Sequence, residues 1–517
     1  MTHQTDIANL PVRPSSAGTD NARADAFRAL GGANYDVAIL GAGISGARIF
    51  HELARHGYRV LLLDQGDFAG GTSQASGMMI WGGLLYLKDL DLLTVTQLCR
   101  ARDQLIAQLP DRVRVERLRY LPGTVTLRNR HIVRAAMMLY WLLGSRRRRR
   151  PGSEAAFPER ELLRAGRFRD ALTVEEAVLN GSDCRFALEW ILSACGPHAL
   201  AVNHCATDNA RFDPAVGGWR LELRDRLHGR EASATARYLV NAAGAWTDRV
   251  NERLGIVSPY RHELSKGVYI SFRRPEALQQ ILVFDSGENN DTMTLVPWGP
   301  VAMFGPTETR VTELAAGMTV APEDVRSLLA LANQNLSATY RVEDIVSMRC
   351  GVRALAVRRG FTKVVHPLEL SRKHLLHQDR TRPVVAVYGG KLTGCGILAE
   401  AVLARLAPHL PQPPPVATRL AVSAPPLESF PGLSEPVPAA AWCRDHEQCH
   451  TLDDYLRRRT NIAQWLPRGG LGATGENLGI LRQLAGAFYS DDAAITQALA
   501  TYQSSVQDHH DAVLAAV

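Results

Sequence analysis

The stretch that decides the fold spans residues 35–64 and reads YDVAILGAGISGARIFHELARHGYRVLLLD. It opens with a short apolar run and then places Gly41, Gly43 and Gly46 at the spacing G-x-G-x-x-G. An amphipathic helical run follows, and a second apolar run ends at Asp64. Strand, glycine turn, helix, strand and acid follow one another in this order in a dinucleotide-binding βαβ unit. The sequence therefore predicts such a unit here.

Each part of this motif has a chemical task. Gly41 permits the tight turn, Gly43 lets the backbone approach a pyrophosphate, and Gly46 lets the helix pack against the strand. The helix N-terminus attracts phosphates, and Asp64 can accept hydrogen bonds from a ribose diol. The alternative, a glycine-rich turn without a ligand, leaves the terminal acid unexplained. The motif alone does not distinguish NAD from FAD.

The composition is that of a globular chain with more than one domain. Its 517 residues are 46% hydrophobic, enough for buried cores in roughly two or three domains. The net charge is +7, to which Arg146–Arg150 alone contribute five positive charges. That run predicts either contact with anionic lipid or another polyanion, or a solvated loop. We expect no nucleic-acid partner, because no aromatic residues are interleaved with the basic ones and no nucleic-acid-binding motif is recognisable.

The N-terminus and the apolar runs predict the location of the protein. The first residues are polar, without the apolar core of a secretory signal, and no apolar run reaches the length of a membrane span. The longest candidate, 132–143, contains Arg134 and predicts either an interfacial or a buried helix. The eight cysteines are scattered, as is typical of a reduced protein. We expect a cytoplasmic protein, with peripheral contact to the inner face of the cytoplasmic membrane left open.

Several motifs taken together resemble one family. The order of the motifs is similar to that of the aerobic FAD-dependent glycerol-3-phosphate dehydrogenases: GAGISGARI, TSQASGMMIWGGLLYL, VNAAGAWTD, LVPWGPVAMFGPTET, CGVRAL, SRKHLL and YGGKLTG. The later stretch DHEQCHTLDDYLRRRTNIAQ resembles the helical cap that closes chains of that family. The resemblance covers residues 34–505, nearly the whole chain. It implies that FAD is the cofactor and that a carbinol carbon gives a hydride to flavin N5.

The resemblance also implies an architecture of the α/β (α+β) class. A Rossmann-like FAD-binding domain is assembled from separated segments and is accompanied by a β-rich substrate domain and a helical C-terminal domain. The expected segments are a disordered leader at 1–33, the FAD-binding domain at 34–260 completed by 383–407, the substrate-binding domain at 261–382, a Pro-rich linker at 408–436 and the helical domain at 437–517.

The expected cofactor residues are small or carry backbone donors, as a large flavin requires. Two glycine turns, the ribose acid with its neighbour, a polar segment after it and a turn beside the isoalloxazine match the family. The predicted FAD-binding residues are Gly41, Gly43, Ser45, Gly46, Asp64, Gln65, Thr72, Ser73, Ser76, Ala243, Gly244, Gly390, Lys391, Leu392 and Thr393.

Three basic residues match the positions that hold phosphate in the family: Arg353, Arg372 and Lys391. A guanidinium fork matches two phosphate oxygens, so the substrate is expected to be a small anion, most plausibly phosphorylated. Any one of these cations alone is equally consistent with a surface or ion-paired residue, and it is their joint match that favours the anion site.

The segments expected around the reacting carbon depart from the family pattern. The family's lysine, histidine and arginine are here Met78, Trp81 and Leu85, and its serine and second histidine are Val268 and Tyr269. Five polar or charged residues have thus become apolar or aromatic, which removes basic groups that help to deprotonate a plain alcohol. We predict a changed substrate with a larger or less polar reacting end, contacted by Trp81 and Leu85.

The predicted catalytic residues are Tyr269, Tyr86 and Arg353. Tyr86 is retained and can hydrogen-bond the substrate. Tyr269 either acts as a phenolic acid or base or only packs, because a free phenol with a pKa of about 10 is a poor base at neutral pH. Trp81 occupies the position of the histidine best suited to covalent attachment, so FAD is predicted to be bound non-covalently.

A metal site near Cys443, His446 and His450 is not expected. Their helical spacing places them near one face, but no second ligand pair follows at a standard interval. These residues fall within the segment that resembles the family's helical cap.

Three functional hypotheses remain open at this point. The preferred one is an FAD-dependent dehydrogenase or oxidase that acts on a C–H bond next to oxygen or nitrogen in an anionic substrate other than glycerol-3-phosphate. The second is a genuine aerobic glycerol-3-phosphate dehydrogenase that makes dihydroxyacetone phosphate. The third is a flavin-binding module without catalysis. Quinone as acceptor requires membrane contact through 132–150, whereas O2 does not.

Overall fold

The architecture is that of a computed structural model, which describes residues 19–122, 130–285, 292–361, 366–367, 370, 373–414, 416 and 424–517. The strands in chain order are β1 (Ala33–Leu40), β2 (Val60–Leu63), β3 (Met79–Ile80), β4 (Val113–Leu121), β5 (Gly152–Glu154), β6 (Ala171–Leu179), β7 (Ala199–Val202), β8 (Cys205–Asp213), β9 (Gly218–Asp225), β10 (Glu231–Asn241), β11 (Tyr260–Arg273), β12 (Leu282–Asp285), β13 (Thr292–Trp298), β14 (Val301–Gly305), β15 (Thr309–Val311), β16 (Ser347–Arg358), β17 (Leu375–Gln378), β18 (Val384–Tyr388), β19 (Leu427–Glu428) and β20 (Val437–Pro438).

The α-helices in chain order are α1 (Thr19–Leu30), α2 (Ile44–Arg55), α3 (Leu92–Gln108), α4 (Arg130–Leu143), α5 (Asp183–Leu192), α6 (Thr247–Leu254), α7 (Leu314–Gly317), α8 (Pro322–Asn335), α9 (Cys395–Leu406), α10 (Ala440–Glu447), α11 (Ile462–Trp465), α12 (Leu478–Ala485), α13 (Asp492–Val506) and α14 (Ala512–Ala515). Within the described ranges, every helix falls short of the length and apolarity that a bilayer crossing requires.

The first sheet carries the βαβ unit read from the sequence. Its main path has the order β17-β18-β10-β1-β2-β7, in which β18, β10, β1, β2 and β7 run parallel. Strands β2 and β18 are fully buried, as expected for parallel strands covered by helices on their faces. Helices α2, α5 and α9 pack together on one face. The Rossmann-like prediction for this part of the chain is confirmed.

The second sheet is mostly antiparallel and has the order β15-β11-β14-β13-β12-β4-β6-β3, with β16 on β11 and β5 on β6. The long pair β11 and β16 runs from Tyr260 opposite Arg358 to Ser271 opposite Ser347. Helix α8 covers one face of this sheet, where Val325, Leu328 and Ala332 join its core. The prediction of a β-rich second domain is confirmed.

The predicted domain boundaries are wrong at several strands. Strands β3, β4, β5 and β6 lie before residue 260 in sequence but belong to the second sheet, and β17 lies before 383 but belongs to the first. The chain therefore passes between the two sheets more often than the changes in composition indicate. Local patterning predicts that a segment is a strand, but the partner of that strand is decided by tertiary packing.

The prediction of a disordered leader is wrong for residues 19–33. These residues form α1 and enter β1, and Phe27 and Leu30 are buried against the first sheet. Arg23 is buried as well and donates to Asp225 at 3.0 Å. Two apolar side chains three positions apart suffice to fix a short amphipathic helix on a sheet, although the composition of the segment is polar. Residues 1–18 lie outside the described residues.

The C-terminal region, α10 to α14, is helical as predicted and has its own apolar core. It is tied to the first sheet by buried ion pairs, because Arg458 and Arg459 both donate to Asp67 in the loop after β2. Arg458 also donates to Asp454 at 2.7 Å. Paired charges of this kind are strongly destabilising when one partner is removed, so they fix the C-terminal region on that loop.

Candidate functional site

The predicted cofactor segments meet at one edge of the first sheet. Strands β1, β2, β10 and β18 run parallel, so their carboxyl ends lie side by side. The segments that follow these ends are 41–46, 64–66, 242–244 and 389–393, which contain most of the predicted FAD-binding residues. Ligands of open α/β sheets bind at this edge, outside the carboxyl ends of the strands.

The glycines at this edge lie so close to neighbouring atoms that a Cβ would collide with them. A Cβ at Gly41 would lie 2.7 Å from the Ala242 oxygen and from the Ala243 Cα, which places the first and second glycine turns in contact. A Cβ at Gly46 would overlap the Gly41 carbonyl oxygen, and one at Gly43 would lie 3.0 Å from Ser73 Oγ. The result is a cradle made of backbone at the N-terminus of α2, as a pyrophosphate requires.

The acid at the end of β2 organises this turn. Asp64 Oδ2 accepts from the Ala42 N–H at 2.7 Å, and its Oδ1 accepts from the Gly66 N–H at 2.9 Å. Burial raises the pKa of the Asp64 carboxyl to about 6, against the effect of these two hydrogen bonds. Each carboxylate oxygen keeps a second lone pair that a ribose hydroxyl can use. The neighbouring Gln65 is exposed, and its backbone oxygen accepts from Arg226.

The polar segment 72–76 bridges the two sheets. Ser73 Oγ accepts from the Ile44 N–H of α2 at 2.9 Å, and Thr72 Oγ1 donates to the Val352 oxygen of β16 at 2.5 Å. The Ser76 N–H donates to Asp183 Oδ2 at 2.7 Å, while its Oγ accepts from the Met78 N–H. The small polar residues predicted from the sequence are therefore held at the seam between the cofactor edge and the second sheet.

The turn after β18 reaches the same seam. Gly389 and Gly390 have φ of +64° and +116°, a backbone conformation that favours glycine, and Leu392–Gly394 form a 3-10 turn. The Lys391 Nζ atom lies 4.2 Å from the centroid of the Tyr86 ring, within cation–π range. Two residues predicted from distant motifs are thus neighbours in space.

Tyr269 and Arg353 lie together on β11 and β16. Tyr269 is buried and pairs with Arg349 across the two strands, while Arg353 pairs with Ser265. The Arg353 guanidinium turns toward Gly267, where a Cβ would lie 2.6 Å from its Nη1 atom, so the missing side chain makes room for it. Burial raises the pKa of Tyr269, although Arg353 and Arg349 favour the phenolate. At neutral pH the phenol therefore carries its proton.

Arg353 has a partner that the sequence did not indicate. Its Nη1 atom lies 3.0 Å from Glu308 Oε2, and the other Glu308 oxygen accepts from Ser265 Oγ. Glu308 lies in the motif GPTET, and its carboxylate was the signal in the sequence for a partner of the predicted anion-binding Arg353. The positive charge expected for an anion at Arg353 is therefore partly neutralised.

The structure describes the other altered residues to different extents. Met78 is buried and has φ of +62°, which is uncommon for a residue other than glycine. The Tyr269 hydroxyl lies beside the preceding residue, Gly77. Trp81 is half-buried against the main core. Leu85 lies in the 3-10 turn Leu84–Asp89, but its side chain is outside the described residues, as is the whole of Arg372.

Arg349 and Asp183 form a buried pair that sequence reasoning missed. Arg349 Nη2 donates to Asp183 Oδ2 at 2.8 Å and to the Gln74 oxygen at 2.7 Å, and its guanidinium lies 4.6 Å from the Trp298 ring. The pair links β16, the start of α5 and the polar segment 72–76. The available signal in the sequence was an arginine flanked directly by Met348 and Cys350.

A cluster of potential metal ligands lies elsewhere than at the cysteines considered above. Ligand atoms of Asp67, His204 and Asp454 lie within 4.8 Å of one another. Asp67 already accepts from Arg459 at 2.7 and 2.8 Å, and Asp454 accepts from Arg458. Two arginines neutralise these carboxylates, so the cluster is an ionic contact between the C-terminal region and the first sheet.

The geometry fits a flavin dinucleotide. A backbone cradle at a helix N-terminus suits a pyrophosphate and Asp64 suits a ribose, while segment 72–76 joins the cofactor edge to β16, the strand that carries Arg353. These features are those of a flavoprotein, with Tyr269 and Arg353 of the second sheet as the candidate substrate face.

Comparison with known proteins identifies the family. Residues 36–407 match the family described as FAD dependent oxidoreductase, to which this chain belongs. The glycerol-3-phosphate dehydrogenase of Pseudomonas aeruginosa is 29% identical over 380 residues, which cover 72% of each chain. The aerobic glycerol-3-phosphate dehydrogenase of Escherichia coli is 27% identical over 391 residues, covering 72% of this chain and 74% of the relative.

Solved structures agree on the fold. The Bacillus halodurans glycerol-3-phosphate dehydrogenase complexed with FAD has a TM-score of 0.70 at 18% identity, covering 94% of this chain and 97% of its own. Glycine oxidase from Geobacillus kaustophilus has a TM-score of 0.53 at 19% identity, covering 75% and 97%. The chain is an FAD-dependent oxidoreductase similar to glycerol-3-phosphate dehydrogenases, as the sequence resemblance predicted.

Proposed function

We propose that this enzyme oxidises a C–H bond next to oxygen or nitrogen in an anionic substrate other than glycerol-3-phosphate. The observation that carries the proposal is the altered substrate face, where the protonated phenol of Tyr269 lies beside an Arg353 already paired with Glu308. Bound FAD supplies the hydride acceptor. The chain's own residues hold the substrate against it and exclude water.

Each residue of this face has a task in the proposal. The Tyr269 phenol carries its proton at neutral pH because burial raises its pKa, so it donates a hydrogen bond to the substrate oxygen or nitrogen and does not abstract a proton. The substrate would lose a hydride and a proton, which together would reduce FAD to FADH2. Arg353 and Lys391 bind the substrate anion, and Arg372 is proposed to join them. Trp81 is proposed to meet the less polar end of the substrate, a role predicted from the sequence for Leu85 as well, and Tyr86 orients Lys391 through the contact between them.

Glu308 bears on the substrate class. With a carboxylate 3.0 Å from Arg353, a doubly charged phosphate would meet repulsion from one side of the site. A monoanion, or a substrate with a cationic nitrogen near its anion, fits this arrangement of charges better. This extends the proposed range from phosphorylated alcohols to amino and hydroxy acids.

A substrate screen tests the proposal. Purified holoprotein is mixed anaerobically with glycerol-3-phosphate, other phosphorylated alcohols, 2-hydroxy acids and amino acids, and the loss of the visible absorbance of the flavin is followed. We expect a compound other than glycerol-3-phosphate to bleach the flavin fastest. Fastest bleaching by glycerol-3-phosphate would overturn the changed substrate, and bleaching by none of the panel would favour the non-catalytic module.

The alternative is a genuine glycerol-3-phosphate dehydrogenase. It is favoured by the names of the most similar relatives and by the matching basic positions Arg353, Arg372 and Lys391. Under this alternative Tyr269 takes the place of a histidine without loss of turnover. The same screen separates the two.

We further propose that the enzyme contacts the membrane peripherally through α4 and its surroundings, which would give it access to quinone. Exposed large apolar side chains gather on the start of α3 and on α4: Leu90, Leu92, Leu93, Ile132, Leu139 and Leu142. Nearby, Arg148 and Arg149 pair with Asp103 and Glu175, while Arg146, Arg147 and Arg150 are exposed and, among the described residues, have no ion pair. Apolar and cationic groups on one surface match an anionic bilayer.

Liposome sedimentation tests this contact. Changing Arg146, Arg147 and Arg150 to Gln together should reduce binding to vesicles with phosphatidylserine by about tenfold or more, since each charge near an anionic surface contributes about 1 kcal/mol. Val257→Ser, at an equally exposed apolar residue elsewhere, is the control. Unchanged binding of the triple variant would remove the membrane proposal and leave O2 as the simpler acceptor.

FAD is proposed to be non-covalent, and yellow colour retained in an acid precipitate would contradict this.

A further inference from the structure

A buried polar cluster lies directly behind the altered active-site segment. It consists of Arg102 on α3, Tyr140 on α4 and Glu176 on β6, and we call it the Gly82 cluster because all three surround Gly82. The three side chains are 0–2% exposed. Buried charges are retained where each has its partners, and this cluster is connected throughout.

The cluster holds the backbone of Gly82 from both sides. The Gly82 N–H donates to Glu176 Oε2 at 3.3 Å, and the Cys99 thiol lies 3.5 Å from the Gly82 oxygen as a donor. Arg102 Nη1 donates to the same Glu176 oxygen at 3.0 Å and to Tyr140 Oη at 2.9 Å. Tyr140 Oη donates in turn to the other Glu176 oxygen.

Gly82 has no room for a side chain. A Cβ there would overlap Tyr140 Oη and would lie 3.0 Å from both Arg102 Nη1 and Cys99 Sγ. Gly82 is therefore fixed in two ways: the cluster binds its peptide group, and it occupies the space that a side chain at this position would need. A shift of Tyr140 or Glu176 must move the Gly82 peptide.

Moving Gly82 moves the residues expected to meet the substrate. Trp81 precedes it, and Gly83, with φ of +93°, begins the 3-10 turn Leu84–Asp89 that carries Leu85 and Tyr86. Tyr86 lies against Lys391 of the turn after β18, 4.2 Å from its ring centroid. The segment is therefore anchored at one end by the Gly82 cluster and at the other by Lys391.

We propose that Glu176, Arg102 and Tyr140 are positioning residues that set the placement of Trp81 and Tyr86 at the substrate face of the flavin. Within the part of the chain that the structure describes, the hydrogen bonds of these three side chains reach only Gly82, Asp103 and one another, so we infer that they act through Gly82. The effect on turnover rests on the proposed function, whereas the effect on the environment of the flavin does not.

Glu176→Gln is the first test, with Glu175→Gln as the matched control. Glu175 is the preceding residue on β6 and contacts Arg149, outside the cluster. For Glu176→Gln we expect unchanged FAD content, an altered visible circular dichroism spectrum of the bound flavin and a kcat about tenfold lower with a smaller change in KM, as expected for misplaced groups. Identical spectra and kinetics for the two variants would overturn the proposal.

A compensating pair is the second test and covers the case in which Glu176→Gln does not fold. Gly82→Ala places a methyl group on the Tyr140 hydroxyl and should lower kcat about a hundredfold. Tyr140→Phe removes that hydroxyl, so the double variant Gly82→Ala/Tyr140→Phe should recover at least about tenfold of the loss. A double variant no better than Gly82→Ala alone would show that the cluster does not set the segment.

The two proposals fail in different ways. If no substrate of the panel reduces the flavin of the unaltered holoprotein, the proposed function fails. The difference between the circular dichroism spectra of Glu176→Gln and Glu175→Gln can still be measured in that case, because it needs only bound FAD. Identical spectra would overturn the positioning proposal by themselves.

Discussion

The cofactor edge of the first sheet and the candidate substrate face of the second meet at one seam, but backbone forms the former and side chains form the latter. The cofactor edge is mostly backbone: Gly41, Gly43 and Gly46 leave no room for a Cβ, and the edge is fixed by the register of parallel strands. The substrate face consists of side chains, such as Tyr269 and Arg353, held by partners on neighbouring strands.

This difference teaches which half of such an enzyme can change. A site made of backbone is altered only by changing the fold, so substitutions there are destabilising. The side chains of the other site can be substituted while β11 and β16 keep their pairing. Tyr269, which departs from the family pattern, belongs to the second kind, since it lies on β11 opposite Arg349 of β16.

The largest effect is expected at the cofactor edge. Gly46→Ala would place its methyl group on the Gly41 carbonyl oxygen within the first turn of α2. We expect a loss of about 3 kcal/mol in the free energy of unfolding, in the range of overpacked cores, and loss of bound FAD on gel filtration. The control is Gly479→Ala in α12, where no heavy atom lies within 4 Å of the new Cβ. FAD retention by Gly46→Ala would break the contrast between the two regions.

An intermediate effect is expected at Tyr269. Tyr269→Phe removes a buried phenol that we expect to donate to the substrate, which should lower kcat by about tenfold to hundredfold. Because burial raises the pKa of Tyr269, the unaltered enzyme should show no loss of activity from its ionisation between about pH 6 and 9. Tyr35→Phe, at another buried tyrosine whose hydroxyl has no hydrogen-bond partner among the described residues, should be neutral. A change of less than twofold in Tyr269→Phe would make it a packing residue.

The smallest effect is expected at the Arg353–Glu308 pair. Glu308→Gln should lower the KM for an anionic substrate by a few-fold, since the guanidinium is no longer shared with a carboxylate. Arg353→Ala should raise that KM about tenfold, whereas Arg310→Ala, which removes an exposed cation paired with Glu263, should leave it unchanged. A higher KM in Glu308→Gln would instead indicate that Glu308 binds a cationic nitrogen of the substrate.

Much of the fold was readable because its signals are local. The βαβ unit over 35–64, the helix at 130–143 and the helical C-terminal region follow from periodicity and turn chemistry within short windows. The assignment of β4 and β6 to the second sheet was not readable, since strand partners are chosen by packing across long sequence separations. The helix within residues 19–33 was not readable for the same reason, because Phe27 and Leu30 are buried partly against strands that lie far along the chain.

The sequence by itself determined the class of cofactor, the parallel first sheet and the identity of the altered positions, because glycine spacing and motif order are properties of the chain alone. Only the tertiary structure decided that Arg353 shares its charge with Glu308, that Lys391 lies on Tyr86, and that Arg102, Tyr140 and Glu176 enclose Gly82. These are contacts between residues 30 or more positions apart in most cases, brought together by packing of elements whose separation no local pattern encodes. The βαβ unit over 35–64 therefore predicts where FAD binds, and the packing of the second sheet decides which side chains lie beside that edge.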